Sequence, residues 1–160
     1  MSLSILLITF IGLSLSCQPP DCQNEDYGTC VEACCKLQWN VTGTNAAELA
    51  KTIETSLKAG GPDGQYQYFA TAPNQGPLTF VVQGIHQTVT MKYNDTLNFG
   101  IINGGASSCT VEAFSHSQDF IVGNFAYSDD GQNYKNLVQL MKATNAKFEQ
   151  TILMGCPPPK

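Results

Sequence analysis

Three features of this 160-residue chain point to an α+β fold. We expect a single mainly antiparallel twisted sheet of about six or seven strands, with two helices on one face and disulfides stapling the whole. First, stretches of two-residue alternation outnumber stretches of helical period. Second, the two helical stretches each carry one apolar stripe, which needs a sheet to cover. Third, neighbouring strands are separated by short turns, which implies antiparallel pairing.

Taken in order, Leu37, Trp39 and Val41 alternate with polar residues and mark a half-buried strand. Asn45, with Glu48 three places on, opens a helix whose Leu49, Ile53 and Leu57 recur at fourfold spacing. Glu54 faces Lys58 across one turn, and Gly60-Gly61-Pro62 ends the helix. Tyr66 and Tyr68 alternate again, Leu78 to Val82 is a compact apolar run, and Thr88 to Tyr93 reads as a further strand. Asn94-Asp95 looks like a turn into a strand over Leu97 to Ile102. Asn103-Gly104-Gly105 is a second turn signal, followed by a strand over Cys109 to Ser115. Tyr134, Leu137, Val138 and Met141 mark the second helix, starting near Asp130, and Phe148 to Met154 is the last strand.

The amino terminus reads as a leader. Leu3 to Leu15 is an uncharged apolar run of about thirteen residues, shorter than the ~20 that a membrane-spanning helix needs. Ser14 and Ser16 supply small residues before a cut, and Pro19-Pro20 breaks any continuing helix. The expected organisation is therefore a signal peptide over 1–16, a cysteine-rich lead-in over 17–35 and one α+β domain over 36–160. No integral membrane span would remain after cleavage, and the localisation expected is secreted or extracellular.

Cysteine usage agrees with that compartment. Cys22, Cys30, Cys34, Cys35, Cys109 and Cys156 are the disulfide candidates, and Cys17 at the cleavage point is the odd seventh. Ser14-Leu15-Ser16 lacks the aliphatic residue of a lipobox, so lipidation of Cys17 is the lesser reading. Zinc is disfavoured, because the spacings of five, eight, four and one do not make paired half-sites. Cys156 follows the last strand and precedes Pro157-Pro158-Pro159, so it should pair with Cys22, Cys30, Cys34 or Cys35. Cys109 is expected to bridge another member of that cluster. Asn40 and Asn94 each begin an Asn-x-Thr sequon and are glycosylation candidates.

Composition excludes several functions. Net charge is −5, only 13% of residues are charged, and arginine is absent, so no nucleic-acid footprint exists. The chain carries no phosphate-binding, dinucleotide or zinc-protease motif, and no cofactor is expected. Ser115, His116 and Asp129 suggest a hydrolase, but successive strand residues point to opposite faces, so Ser115 would not meet His116. His86 reads as a satisfied strand histidine. Asp129, Asp130 and Asn133 form either a cation-like cluster or, better, an Asp-Gly turn capping the second helix.

One resemblance attaches to the same region. Val111-Glu112-Ala113-Phe114-Ser115-His116-Ser117 and Tyr127-Ser128-Asp129-Asp130-Gly131-Gln132-Asn133-Tyr134-Lys135 resemble the end of a widespread bacterial and plastid family of unknown function. Its pattern is S-x-S-R, then G-x-x-D-x-G-x-N-R before a helix. Ser115, Ser117, Asp129, Gly131 and Asn133 match. Gln118 and Tyr134 replace the two arginines, and the gap between the blocks is longer here. The resemblance covers about a quarter of the chain; it implies a similar α+β architecture and no activity.

The function expected is that of a secreted or surface-displayed non-enzymatic protein binding a protein partner or a small apolar ligand. Eight phenylalanines and six tyrosines could line a cavity for the latter. The alternative is a secreted hydrolase using Ser115, His116 and Asp129.

Overall fold

The structure, a computed structural model, describes residues 34–73, 79–88, 94–117 and 131–156. Among these, six strands and two helices follow one another as β1 (Cys34–Thr42), α1 (Ala46–Lys58), β2 (Tyr66–Pro73), β3 (Phe80–Gln87), β4 (Asn94–Gly105), β5 (Ser108–Ser117), α2 (Gln132–Ala143) and β6 (Lys147–Met154). They form one open sheet in the order β2-β3-β4-β5-β1-β6, antiparallel throughout. β2 to β5 is a meander; β1 closes beside β5, and β6 is laid outside β1. α1 crosses β2 to β5, α2 lies over β5 and β1, and the helices touch each other.

Alternation sets the core. Leu37, Trp39 and Val41 of β1, Leu97, Phe99 and Ile101 of β4, and Val111 and Ala113 of β5 all face the helices. Leu49, Ile53 and Leu57 of α1 and Leu137, Leu140 and Met141 of α2 meet them. These side chains are essentially solvent-free. The opposite face also buries side chains: the register places Gln83, Asn98 and Phe114 in one row, each fully buried.

α1 begins as its sequence requires. The Asn45 side chain accepts from the Glu48 N–H at 3.0 Å, and the Glu48 carboxylate accepts from the Asn45 N–H at 3.5 Å. Gly60 and Gly61 end it with φ of +91° and +66°. At Gly61 a Cβ would fall 2.2 Å from the Tyr66 ring, so glycine is needed for packing as well as for backbone conformation. Lys58 bonds Glu54 one turn back and lies 4.3 Å over the Tyr68 ring.

Four expectations are corrected. Asn94-Asp95 is not a turn: both residues lie in β4, opposite Gln87 and His86. Burial of Asp95 among hydrogen-bond donors overrides its turn propensity. Residues 89–93 of the strand expected over Thr88 to Tyr93 lie outside the described residues, and Thr88 is in no strand. Asn133 does not cap α2. The N-cap is Gly131 in the left-handed region, with no side-chain cap bond, and Asn133 is buried in the first turn. Asp129 and Asp130 lie outside the described residues.

The fourth correction concerns sulfur. Cys156 is bridged to Cys35, 121 residues away. Cys34 is disulfide-bonded too, but Cys109 is a free, buried thiol. The register explains why it meets neither Cys34 nor Cys35: Cys35 stands opposite Ser115, whereas Cys109 stands opposite Val41. Six residues of extended chain separate those positions, about 20 Å, where a disulfide needs Cα atoms within about 7 Å. Cys17, Cys22 and Cys30 lie outside the described residues. So do residues 1–33, over which the leader and most of the lead-in are expected, and β1 begins at Cys34.

Candidate functional site

The two ends of the sheet are finished differently. β2, at one edge, is interrupted by a register shift between Tyr68 and Ala70 and ends on Pro73. A bulge and a proline both discourage pairing with a further strand. β6, at the other edge, has a register shift of its own, opposite Lys36 and Leu37, but no proline between Lys147 and Met154. Its side chains are exposed except at Phe148, and among the described residues no strand lies beyond it.

β6 is anchored in its first half. Phe148 sits edge-on to Trp39 with ring centroids 5.9 Å apart. The Trp39 indole N–H donates to the Gln150 carbonyl at 3.0 Å, and the Gln150 amide donates to the Tyr134 hydroxyl at 3.1 Å. The second half carries apolar residues that the helix layer does not cover. Ile152, Leu153 and Met154 are 51%, 43% and 38% exposed. A lone exposed leucine needs no explanation, but three consecutive large apolar residues on an open edge form a contact surface. Just beyond them the chain is tied down by the Cys35–Cys156 bridge.

A second polar assembly lies under α2. Tyr66, His86, Asp95 and Ser117 stand in one cross-strand row on the helix-facing side. Asp95 accepts from Ser117 at 2.6 Å and from the Asn136 amide at 2.8 Å. Asn133 accepts from the Ser115 hydroxyl at 2.5 Å and donates to Ser117 at 3.1 Å. Gln132 donates to Asn136 at 2.7 Å, and the Tyr66 hydroxyl donates to the Asn136 carbonyl at 2.9 Å. Burial, with the carboxylates of Asp63 and Asp95 nearby, holds the Tyr66 phenol protonated far above its ordinary range. His86 pairs through Nε2 with Asp63 at 3.0 Å, while its buried Nδ1 has no partner. These groups bond one another, which makes the assembly a clamp between α2 and the sheet.

That geometry sorts the residues singled out in the sequence. Ser115 faces α2, with its hydroxyl committed to Asn133. His116 faces the other way and stacks on Phe114 with centroids 6.2 Å apart. Ser115 and His116 therefore do not form a dyad. Asn40 is exposed on β1, and Asn94 is partly exposed at the start of β4. Among the described residues, no group of histidine, cysteine, aspartate and glutamate side chains is placed to hold a metal, and no helix is long and apolar enough to cross a membrane.

No protein-family model, curated protein or solved structure matches the chain. The functional reading accordingly rests on its own geometry. Of the residues that carried the resemblance, Ser115, Ser117 and Asn133 meet in space in one hydrogen-bonded group, and Gly131 supplies the left-handed N-cap of α2.

Asp95 and Asn136 were missed from the sequence. The usable signal was parity, since Asp95 shares its strand face with Leu97, Phe99 and Ile101. A polar residue in phase with a core stripe is buried by register and needs partners. Cys109 shows the inverse case. Burial pushes its thiol up to about 11, so it stays protonated at neutral pH and the thiolate is scarce. Iodoacetamide should leave Cys109 unlabelled in the native protein and modify it only after unfolding. Rapid labelling of the folded chain would show that β5 is not packed as described.

Proposed function

We propose that this chain is a secreted, disulfide-stapled, non-enzymatic binding protein that takes an extended segment of a protein partner along the free edge of β6. The observation that carries this reading is the contrast between the edges: β2 ends on Pro73, which has no N–H to offer a further strand, whereas β6 has no proline and ends in exposed Ile152, Leu153 and Met154. An added strand would use the unpaired backbone groups for affinity and alternate side chains for selectivity. Lys147 and Glu149 border the edge at its start, so a segment with complementary charge there and apolar residues beyond would fit best. The low charge and the absence of arginine argue for a protein partner over nucleic acid. The apolar leader over Leu3 to Leu15 and the bridged cysteines support an extracellular setting.

The small-ligand reading is less favoured. Among the described residues the aromatic side chains do not converge on one cavity: Trp39 and Phe99 fill the helix-facing core, Phe114 lies on the other face and Phe69 is exposed. An open cleft of about 310 Å³ between the β1–α1 loop and the α2–β6 turn is lined by threonines. The hydroxyls of Thr52 and Thr144 there are spent on neighbouring backbone carbonyls, and that of Thr44 on the Glu48 carboxylate.

Selection of a displayed library of random extended peptides against the whole chain tests the proposal. Peptides that bind should protect β6 amides from hydrogen exchange. Ile152→Lys should weaken them by about tenfold, roughly 1.4 kcal/mol, through loss of an apolar anchor. Binders that protect another surface, or that tolerate Ile152→Lys unchanged, would count against β6 as the docking edge.

A further inference from the structure

We propose that the Cys35–Cys156 disulfide is a redox latch on β6, deciding whether the strand is held on the sheet as a docking edge; the docking half rests on the reading of β6 given above. The argument begins with what holds the strand. Every side-chain anchor lies in its first half, at Phe148 and Gln150. From Thr151 to Met154 the side chains are exposed, and the ladder to β1 is broken by a register shift between Lys36 and Leu37. Gly155, at φ +71°, then turns the chain to Cys156. Among the described residues only the interrupted ladder and the disulfide therefore restrain this segment, and few core contacts would be lost if it left.

The two sulfurs are unequally placed. Cys35 is fully buried in the core, while Cys156 is partly exposed. A reducing thiolate, supplied by a small dithiol, reaches Cys156 Sγ first. A sulfur–sulfur bond forms there as the Cys35–Cys156 bond breaks, and the electron pair leaves on Cys35 Sγ, which takes a proton. The second thiol of the reductant, as its thiolate, attacks its own sulfur in the mixed disulfide and releases Cys156 as a thiol. The products are two cysteine thiols and the oxidised, disulfide form of the reductant. Thr151–Met154 then detaches from β1, while Leu37 and Trp39 stay covered by the helices. The apolar docking edge is lost although the core persists.

The experiment is hydrogen exchange of the whole chain during graded reduction by dithiothreitol, with the freed thiols mapped by alkylation. Thr151–Met154 should exchange like unstructured chain once Cys156 is alkylatable, while β4 amides remain protected. Glutathione as a monothiol should be trapped on Cys156 and not on Cys35. Cys35→Ala/Cys156→Ser should show the same local opening without reductant, which separates this bridge from the one at Cys34. A segment still protected with Cys156 free, or loss of β6 and β4 protection together, overturns the latch. Local opening that leaves a selected peptide's affinity unchanged overturns the docking edge and leaves the latch standing.

Discussion

Trp39→Ala is expected to lower the unfolding free energy by about 3–5 kcal/mol, the usual cost of truncating a fully buried large aromatic. Trp39 is solvent-free and stands between Val111 of β5 and Gln150 of β6, so its ring spans the junction where the last strand joins the sheet. Its loss removes the edge-on contact with Phe148 and opens a cavity in the core where α2 packs on β1. Trp39→Phe should cost distinctly less. The acceptor it abandons is on Gln150, an exposed residue that water can rehydrate. Trp39 is the only tryptophan, so the variants should be followed in urea by far-ultraviolet circular dichroism and not by fluorescence. A Trp39→Ala midpoint matching the parent would mean that this ring is not at the centre of the packing.

Much of the fold was legible because local and global signals agreed. The alternation of Leu37, Trp39 and Val41, the Asn45 and Glu48 capping pair and the Gly60-Gly61 stop each state in a few residues what the tertiary structure also needs. Where they disagreed, the tertiary term won. Asn94-Asp95 has turn chemistry, yet β3 and β5 flank it and α2 offers Asn136, so the residues extend β4. Asn133 follows an Asp-Gly pair that looks like a cap, yet its position in the first turn of α2 points its amide at two serines of β5.

The disulfides show a different limit. Cys156 could be placed near the first strand because both chain ends meet a sheet boundary, but Cys109 was assigned to the same cluster for want of a register. Only the antiparallel pairing of β1 with β5, which sets Cys109 against Val41, puts it at the far end of the strand. The edge site was half-legible for a similar reason. Ile152-Leu153-Met154 read as an ordinary strand end, and nothing local said that this strand would be outermost. Its neighbour is fixed by a long-range pairing across more than a hundred residues.

The clamp under α2 leads to the second large effect. Asn133→Ala removes the acceptor of the buried Ser115 hydroxyl and a donor to the partly buried Ser117. The orphaned Ser115 hydroxyl costs about 1–3 kcal/mol, while Ser117 keeps its bond to Asp95, so a loss of roughly 1–3 kcal/mol is expected. Asn133→Asp sharpens the test. The new carboxylate can still accept from Ser115 but, when ionised, cannot donate to Ser117, which already gives its proton to Asp95. Two carboxylates would then flank one hydroxyl in a buried site, raising the pKa of the introduced group above its unfolded value of about 3.9. A folded-state carboxyl pKa above the unfolded one means that the native state binds more protons in between. The stability deficit of Asn133→Asp relative to the parent should therefore grow as pH rises from about 4 through the raised pKa, and shrink on acidification as the carboxyl regains a donor. Urea titrations of parent and variant across that range measure it. A deficit independent of pH would show that Asn133 does not bridge Ser115 and Ser117 beside Asp95, and would leave Asn136 as the polar tie between α2 and the sheet.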